Sequence, residues 1–280
     1  MSKRRVTRAW LGEARPVDPG ELLGPRGLVA GLVAEGEREG EPASEGEGGG
    51  VDESGDERAG PTQAERDAFH RSMLTDARLA RIESVISARL SSVTVVLDAL
   101  LDPHNVAAIL RTSEGLGLLR LHVVPNADGD GGVHRRITQD ADKWLEVVRH
   151  RSGAEAASTL RSQGFCVLAG HLDAEAKLVT ALPVDRPLAL LFGHEHEGPS
   201  AQTLAACDGT FRIPMAGFSQ SFNVSVAAAI ALHAATSARR QHLGLAGDLS
   251  EDEKAALRSR YWRLGAKLAR RVSGPPRRKD

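Results

Sequence analysis

The chain has 280 residues, 41% of them hydrophobic and 26% charged, with six Phe, three Trp, one Tyr, two Cys and a formal net charge of −1. That size suits one large or two ordinary domains, and the longest apolar run, 224–232, falls well short of the roughly 20 residues a membrane span needs. Cys166 and Cys207 cannot build a disulfide framework or a paired-cysteine zinc site, which fits a reducing cytoplasm, and so few aromatics argue against a base-stacking RNA platform.

The small net charge hides a strong asymmetry. Between Glu35 and Ala59 ten acidic residues stand against Arg38 and Arg58, a net of −8; from Lys254 onward ten basic residues stand against Asp280, a net of +9. Lys3, Arg4 and Arg5 precede no apolar h-region, so no secretory signal is expected. The acidic segment is glycine-rich and almost devoid of apolar residues, so residues 1–62 read as a disordered extension. A solubilising tail without a specific partner is the plainer account of it.

From residue 64 to 90 apolar residues recur every three or four positions, predicting one or two amphipathic helices. Val93, Val95, Val96 and Leu97 with Thr94 predict a buried strand. Asp102, Pro103 and His104 make a turn, Asn105 is a candidate N-cap, and 106–116 reads as a helix. A strand over 119–124, a polar loop over 125–136 and a helix around 140–148 follow. Ser152 caps a further helix stopping at Gly164. Strands are predicted at 165–169, 188–192 and 210–213, with helices from Ser200, from Asn223 to about Gln241, and from about Asp252. Strands alternating with short helices give an α/β fold, a parallel sheet with helices on both faces. Ligands bind such sheets at the carboxyl ends of strands, which directs attention to the exits after Leu97, Phe192 and Ile213.

Each exit alone has a plain structural account. The first carries Asn105, Arg111 and Glu114 on a short helix, which equally describes a capped core helix with an ion pair. The second runs Phe192, Gly193, His194, Glu195, His196, Glu197, Gly198. Its two-residue alternation does not give the i, i+4 histidine pair of a helical zinc site, so no metal is expected. The third passes from Ile213 through Gly217 and the polar residues Ser219, Gln220 and Ser221 to Asn223 and a helix of small residues, whose free backbone amides could meet a ligand or simply cap a tight core.

In this order the three segments resemble the SpoU class of RNA ribose 2'-O-methyltransferases. The resemblance rests on Asn105 with Arg111; on Leu191, Phe192, Gly193, Glu195 and Gly198; and on Ile213, Pro214, Met215 with Ser221 to Ala227. Lys143 to Val147, the form of the second segment and the basic C-terminal helix are similar to the TrmH branch, which acts on guanosine 18 of tRNA. The resemblance spans roughly 64–271. It implies a C-terminal trefoil knot, one of the rare exceptions to unknotted topology. It further implies a homodimer with active sites near its interface, and S-adenosylmethionine held by Gly170, Gly193, Ile213 and Phe222, largely through backbone atoms. Asn105, Glu195, Ser221 and Asn223 would shape the site, and Arg111 would take the proton from the ribose hydroxyl. That role fits poorly with a guanidinium pKa above about 12 unless a neighbouring phosphate, cation or helix end helps; a phosphate clamp is the competing role. Phe222 stands where leucine is usual.

Residues 63–245 are thus expected to form the methyltransferase domain and 246–280 a basic helix and tail gripping tRNA phosphates through Arg260, Arg263, Lys267, Arg270 and Arg271; a solvated surface helix is the alternative. Two other activities stay open: ribosomal-RNA methylation by the same class, and RNA binding without catalysis, which would be expected to have lost Asn105, Arg111 or Asn223.

Overall fold

The computed structural model describes residues 60–125 and 143–272, with side chains as far as residue 268. Of the extension expected over 1–62, residues 1–59 lie outside the described residues, as do the polar loop after Pro125 and the side chains of Arg270 and Arg271. The compact unit carrying the fold begins at Thr62. Thr62 caps α1 (Gln63–Ser72) in a reciprocal box with Glu65, and Thr75 caps α2 (Asp76–Ser87). The predicted helical stretch is therefore two helices.

The elements then run β1 (Val93–Asp98), α3 (Pro103–Gly115), β2 (Arg120–Val124), β3 (Glu146–Arg149), α4 (Gly153–Ser162) and β4 (Cys166–Gly170). After them come β5 (Lys177–Leu178), β6 (Leu188–Phe192), α5 (Ala201–Ala206), β7 (Gly209–Arg212), α6 (Val224–Leu243) and α7 (Glu251–Val272). Seven strands make one sheet in the order β3-β2-β1-β6-β4-β7-β5, and every strand pair is parallel.

The structure corrects the sequence reading in three places. Of the helix expected around 140–148, residues 140–142 lie outside the described residues and the rest is not helical, β3 occupying Glu146–Arg149; Val147 and Val148 are β-branched and register against Leu121 and His122 of β2. Asn105 is not the N-cap of α3. Asp102 caps it by accepting from the His104 N–H at 2.8 Å, and Pro103, whose fixed φ suits a first helical position, starts the helix. Asn105 thereby falls inside the first turn, buried and with its amide free for other partners. Two-residue β5 is too short to carry a period and went unpredicted.

Alternation along the strands builds the two layers. Val95 and Leu97 of β1, Leu190 and Phe192 of β6 and Leu168 of β4 face α3 and α6, meeting Ile109, Leu110, Ala228 and Leu232. Val96, Val167, Ala169, Ala189 and Leu191 face α4 with its Ala156, Ala157 and Leu160. Each such leucine or isoleucine contributes about 1.5–3 kcal/mol on burial. A third cluster joins α2 and α7 through Ile82, Ile86, Leu257 and Tyr261.

One backbone position between β1 and α3 is strained. Ala99 has φ 56°, the left-handed region, while its N–H donates to the Val124 carbonyl at 3.2 Å. Ala99→Gly is expected to stabilise the protein by about 0.5–1 kcal/mol, the relieved strain less the entropy that glycine adds to the unfolded chain. A higher urea midpoint would show it; an unchanged or lower midpoint would mean the loop carries no strain.

Candidate active site

The carboxyl ends of β1, β4, β6 and β7 lie along one edge of the parallel sheet, and the loops leaving β4, β6 and β7 enclose a cleft of about 370 Å³. Small-molecule sites have this size. Its apolar surface comes from Phe192, Phe211, Ile213 and Met215, and its rim from His171, the loop His194 to Gly198, and Gln220 to Phe222. Phe192 and Phe211 meet edge to face at 5.7 Å between centroids.

The loop after β6 folds upon itself. The His194 Nδ1 accepts from the backbone N–H of His196 at 3.2 Å and of Glu197 at 3.4 Å, and the Gly198 N–H donates to the His194 carbonyl at 2.8 Å. Gly198 has φ +69°, and a Cβ on Gly193 would stand 2.3 Å from the Pro199 nitrogen. Both glycines are therefore required by backbone conformation and approach, which is what aims Glu195 outward from the turn.

Glu195 reaches to the neighbouring exit. Its carboxylate accepts from the backbone N–H of Leu101 at 2.9 Å and of Asp102 at 3.1 Å, pinning the loop between β1 and α3. The Asn105 Nδ2 donates to the same carboxylate at 3.3 Å, and the Asn223 Nδ2 donates to the Asn105 Oδ1 at 3.1 Å. Partial burial pushes the Glu195 carboxyl up, but the Leu101, Asp102 and Asn105 donors outweigh it and hold the group below the usual glutamate range. Glu195 is thus an ionised clamp. One network joins a residue from each of the three segments.

The expected site residues divide accordingly. Asn105, Glu195 and Asn223 form the network; Gly170, Gly193, Ile213, Phe222 and Ser221 line the cleft together with Glu195. Arg111 does neither. It lies on α3, exposed, with no hydrogen bond or ion pair among the described residues. Glu114, its partner in the plain structural account, instead binds the buried Arg89 at 3.0 Å. The sequence reading missed His171 and Arg212, which also line the cleft; counting the exit of β4 among the strand ends would have found the first. It missed the Leu101 and Asp102 amides as well, because backbone donors carry no side-chain signal.

On α7 the expected basic face is only partly free. The Arg260 Nη2 donates to the Leu145 carbonyl at 2.8 Å, and Tyr261 is buried, its hydroxyl donating to the Trp144 carbonyl at 2.8 Å. Arg263 and Lys267 are exposed. Arg258 forms an ion pair with Glu83 of α2 at 2.7 Å. No helix among the described residues is long and apolar enough to cross a membrane.

The sequence matches the SpoU rRNA Methylase family over residues 92–233. It is 40% identical over 169 residues to the tRNA (guanosine(18)-2'-O)-methyltransferase of Thermus thermophilus, covering 60% of this chain and 85% of that one. To the Escherichia coli enzyme of the same name it is 34% identical over 175 residues, 61% and 74% of the two chains. Among solved structures it is similar to the A. aeolicus TrmH/SpoU tRNA modifying enzyme, with a TM-score of 0.59, 29% identity, and 67% of this chain and 96% of that one covered. The matched span opens at the residue before β1 and closes within α6, so it holds all three strand exits and the network binding them together, and the chain belongs to the SpoU methylase family.

Proposed function

We propose that the chain transfers a methyl group from S-adenosylmethionine to the ribose 2'-hydroxyl of guanosine 18 in tRNA. The Asn105–Glu195–Asn223 network beside the cleft carries this reading, because it unites the three family segments around one small-molecule site, and relatives covered to 85% and 86% of their length are named for this reaction. The cleft suits the donor: an aromatic and aliphatic surface for an adenine, backbone edges of strand ends for its hydrogen bonds, and a size within the range for such ligands. Gly170, Gly193, Ile213 and Phe222 would hold it. The bound donor supplies an electrophilic methyl group on a sulfonium.

The chain's own task is then to place the ribose oxygen in line and take its proton. Positioning alone is worth up to about 7–11 kcal/mol of barrier. Glu195, held ionised and consumed by the loop it clamps, is a poor proton acceptor; the resemblance to the family assigns that proton to Arg111. Since Arg111 does not reach the cleft within one chain, a second copy fits the site: Leu101, Phe218, Phe222 and Val226 expose apolar surface at its margin, as an isologous dimer interface would. The trefoil knot belongs to the same reading. Its support is that β6 inserts between β1 and β4, and β7 between β4 and β5, strands already placed earlier in the chain.

Residues 63–245 would form the catalytic domain and 246–280 the RNA-gripping element. Among the described side chains of the expected face, Arg263 and Lys267 are exposed, whereas Arg260 is engaged by Leu145. Replacing Arg263 and Lys267 with Gln should weaken tRNA binding and lower the slope of log affinity against log salt by about 1.4–1.8, from 0.7–0.9 per lost phosphate contact. Melting and donor affinity should stay as they were. An unchanged slope would place the grip elsewhere.

The reading is tested by incubating the purified protein with labelled S-adenosylmethionine and total RNA, then mapping the product. A single 2'-O-methyl group at guanosine 18 of tRNA, lost when that nucleotide is replaced, is expected. Label in ribosomal RNA would move the substrate within the family; no label in any RNA would refute the activity.

A further inference from the structure

The donor side of the network begins one step before the three residues that join the exits. Asn223 is the N-cap of α6, and its Oδ1 accepts twice from the same residue: from the Ser225 backbone N–H at 2.8 Å and from the Ser225 hydroxyl at 2.6 Å. A carboxamide has one oxygen and one NH₂. Pinning the oxygen toward α6 therefore turns the NH₂ away from that helix and toward α3, where it donates to the Asn105 Oδ1, 118 positions away in sequence. That contact in turn fixes the Asn105 amide, leaving its NH₂ to donate to Glu195, whose carboxylate holds the loop at Leu101 and Asp102. Every bond runs in one direction, from Ser225 to the carboxylate. A flip of either amide would set two NH₂ groups, or two oxygens, against each other.

An N-cap needs only one of the two bonds from Ser225. Capping is satisfied when the side-chain oxygen accepts from the backbone N–H of the first turn, and that bond exists without any side chain on residue 225. The hydroxyl is additional, and what it adds is restraint on the amide that crosses to α3. We infer that Ser225 is a positioning residue for the methyl-transfer step, orienting Asn223 and through it Asn105 and Glu195. This rests on the proposed methyltransferase reading of the site.

The test is a double-mutant cycle read in kcat, on the full chain with tRNA and S-adenosylmethionine. Ser225→Ala should lower kcat by about three- to tenfold, the range of one net hydrogen bond, with the KM for the donor and the melting temperature unchanged. Ser225→Thr, which keeps the hydroxyl, should restore most of the rate. In an Asn105→Ala background the same Ser225→Ala change should have no further effect, because the group through which it acts is gone. Equal losses in both backgrounds, failure of the threonine variant to recover, or a lowered melting temperature accounting for the loss would each overturn the inference. So would a serine-to-alanine variant with wild-type kcat. A wild-type protein without methyl transfer would instead refute the activity itself, and the two failures are distinguished by the wild-type control.

Discussion

Arg111→Ala should lower kcat by about 10²- to 10⁴-fold, the usual contribution of a positioned proton-transfer group, while leaving donor affinity and stability as they are. The structure separates these three readouts. Arg111 makes no hydrogen bond or ion pair among the described residues and is exposed on α3, so its removal opens no cavity and orphans no partner; surface changes of this kind stay within about 0.5 kcal/mol. It does not line the cleft, so calorimetry of S-adenosylmethionine binding should be indifferent to it. What it offers is an unpaired guanidinium on the helix whose first turn is tied to the cleft by Asn105 and Glu195. A guanidinium gives up a proton reluctantly and matches phosphate geometry well, so a clamp on a phosphate of the bound RNA is the competing role. Arg111→Lys separates the two roles: a phosphate clamp would survive it in part, a base geometry built on the planar fork would not. A variant retaining more than a tenth of the rate, a loss of under about 1.4 kcal/mol, would remove Arg111 from the chemistry.

The second large effect is expected in stability on acidification. The His122 Nδ1 and His150 Nε2 lie 2.8 Å apart, their rings stacked with centroids 5.1 Å apart, with His122 on β2 buried beneath α4. Burial first, then the neighbouring His150 and Arg120, push the His122 imidazole down to about 3. Burial also lowers His150, against the opposing charge of Glu155. Above an unfolded-state pKa of about 6.5 both states hold His122 neutral and it adds no pH dependence. As pH falls below that value the unfolded chain takes a proton that the folded chain refuses, so folding stability declines through the window from about 6.5 down to 3. At pH 5 the loss is about 2 kcal/mol, from 1.36 kcal/mol per pH unit. Urea unfolding at pH 7 and pH 5 should show it, and His122→Gln, which keeps a donor and an acceptor for His150, should remove most of the difference. The same pH dependence in that variant would assign the acid sensitivity to other groups.

Much of the fold was legible because it is written locally. Ser152, Ser200 and Asn223 were read as helix starts, and each caps its helix through its side chain. β6 falls at Leu188–Phe192 as its unbroken apolar run predicted, and Gly164 ends α4 with φ +88°. β3 was misread because a four-residue strand after a polar loop lacks a full period of either kind; its identity came from registering with β2. Asn105 was misplaced because three neighbouring residues, Asp102, Asn105 and Pro103, all carry helix-start signals, and only the packed loop shows that Asp102 takes the cap.

The amino-acid order by itself determined the family, through three polar segments at strand exits whose residue types and spacing recur together, and it named eight of the residues now found lining the cleft or joined in its network: Gly170, Gly193, Ile213, Phe222, Ser221, Asn105, Glu195 and Asn223. It could not say what each one does. Glu195 acts on backbone amides 93 and 94 positions away, Arg260 on a backbone carbonyl rather than on solvent, and Arg111 stands apart from the cleft it was grouped with. Those distinctions depend on which groups satisfy which across strands distant in sequence. Hydrogen bonds are short-ranged and directional, so only the tertiary structure, by bringing the strand ends to one edge, decides between a clamp, a core contact and a side chain left free for a substrate.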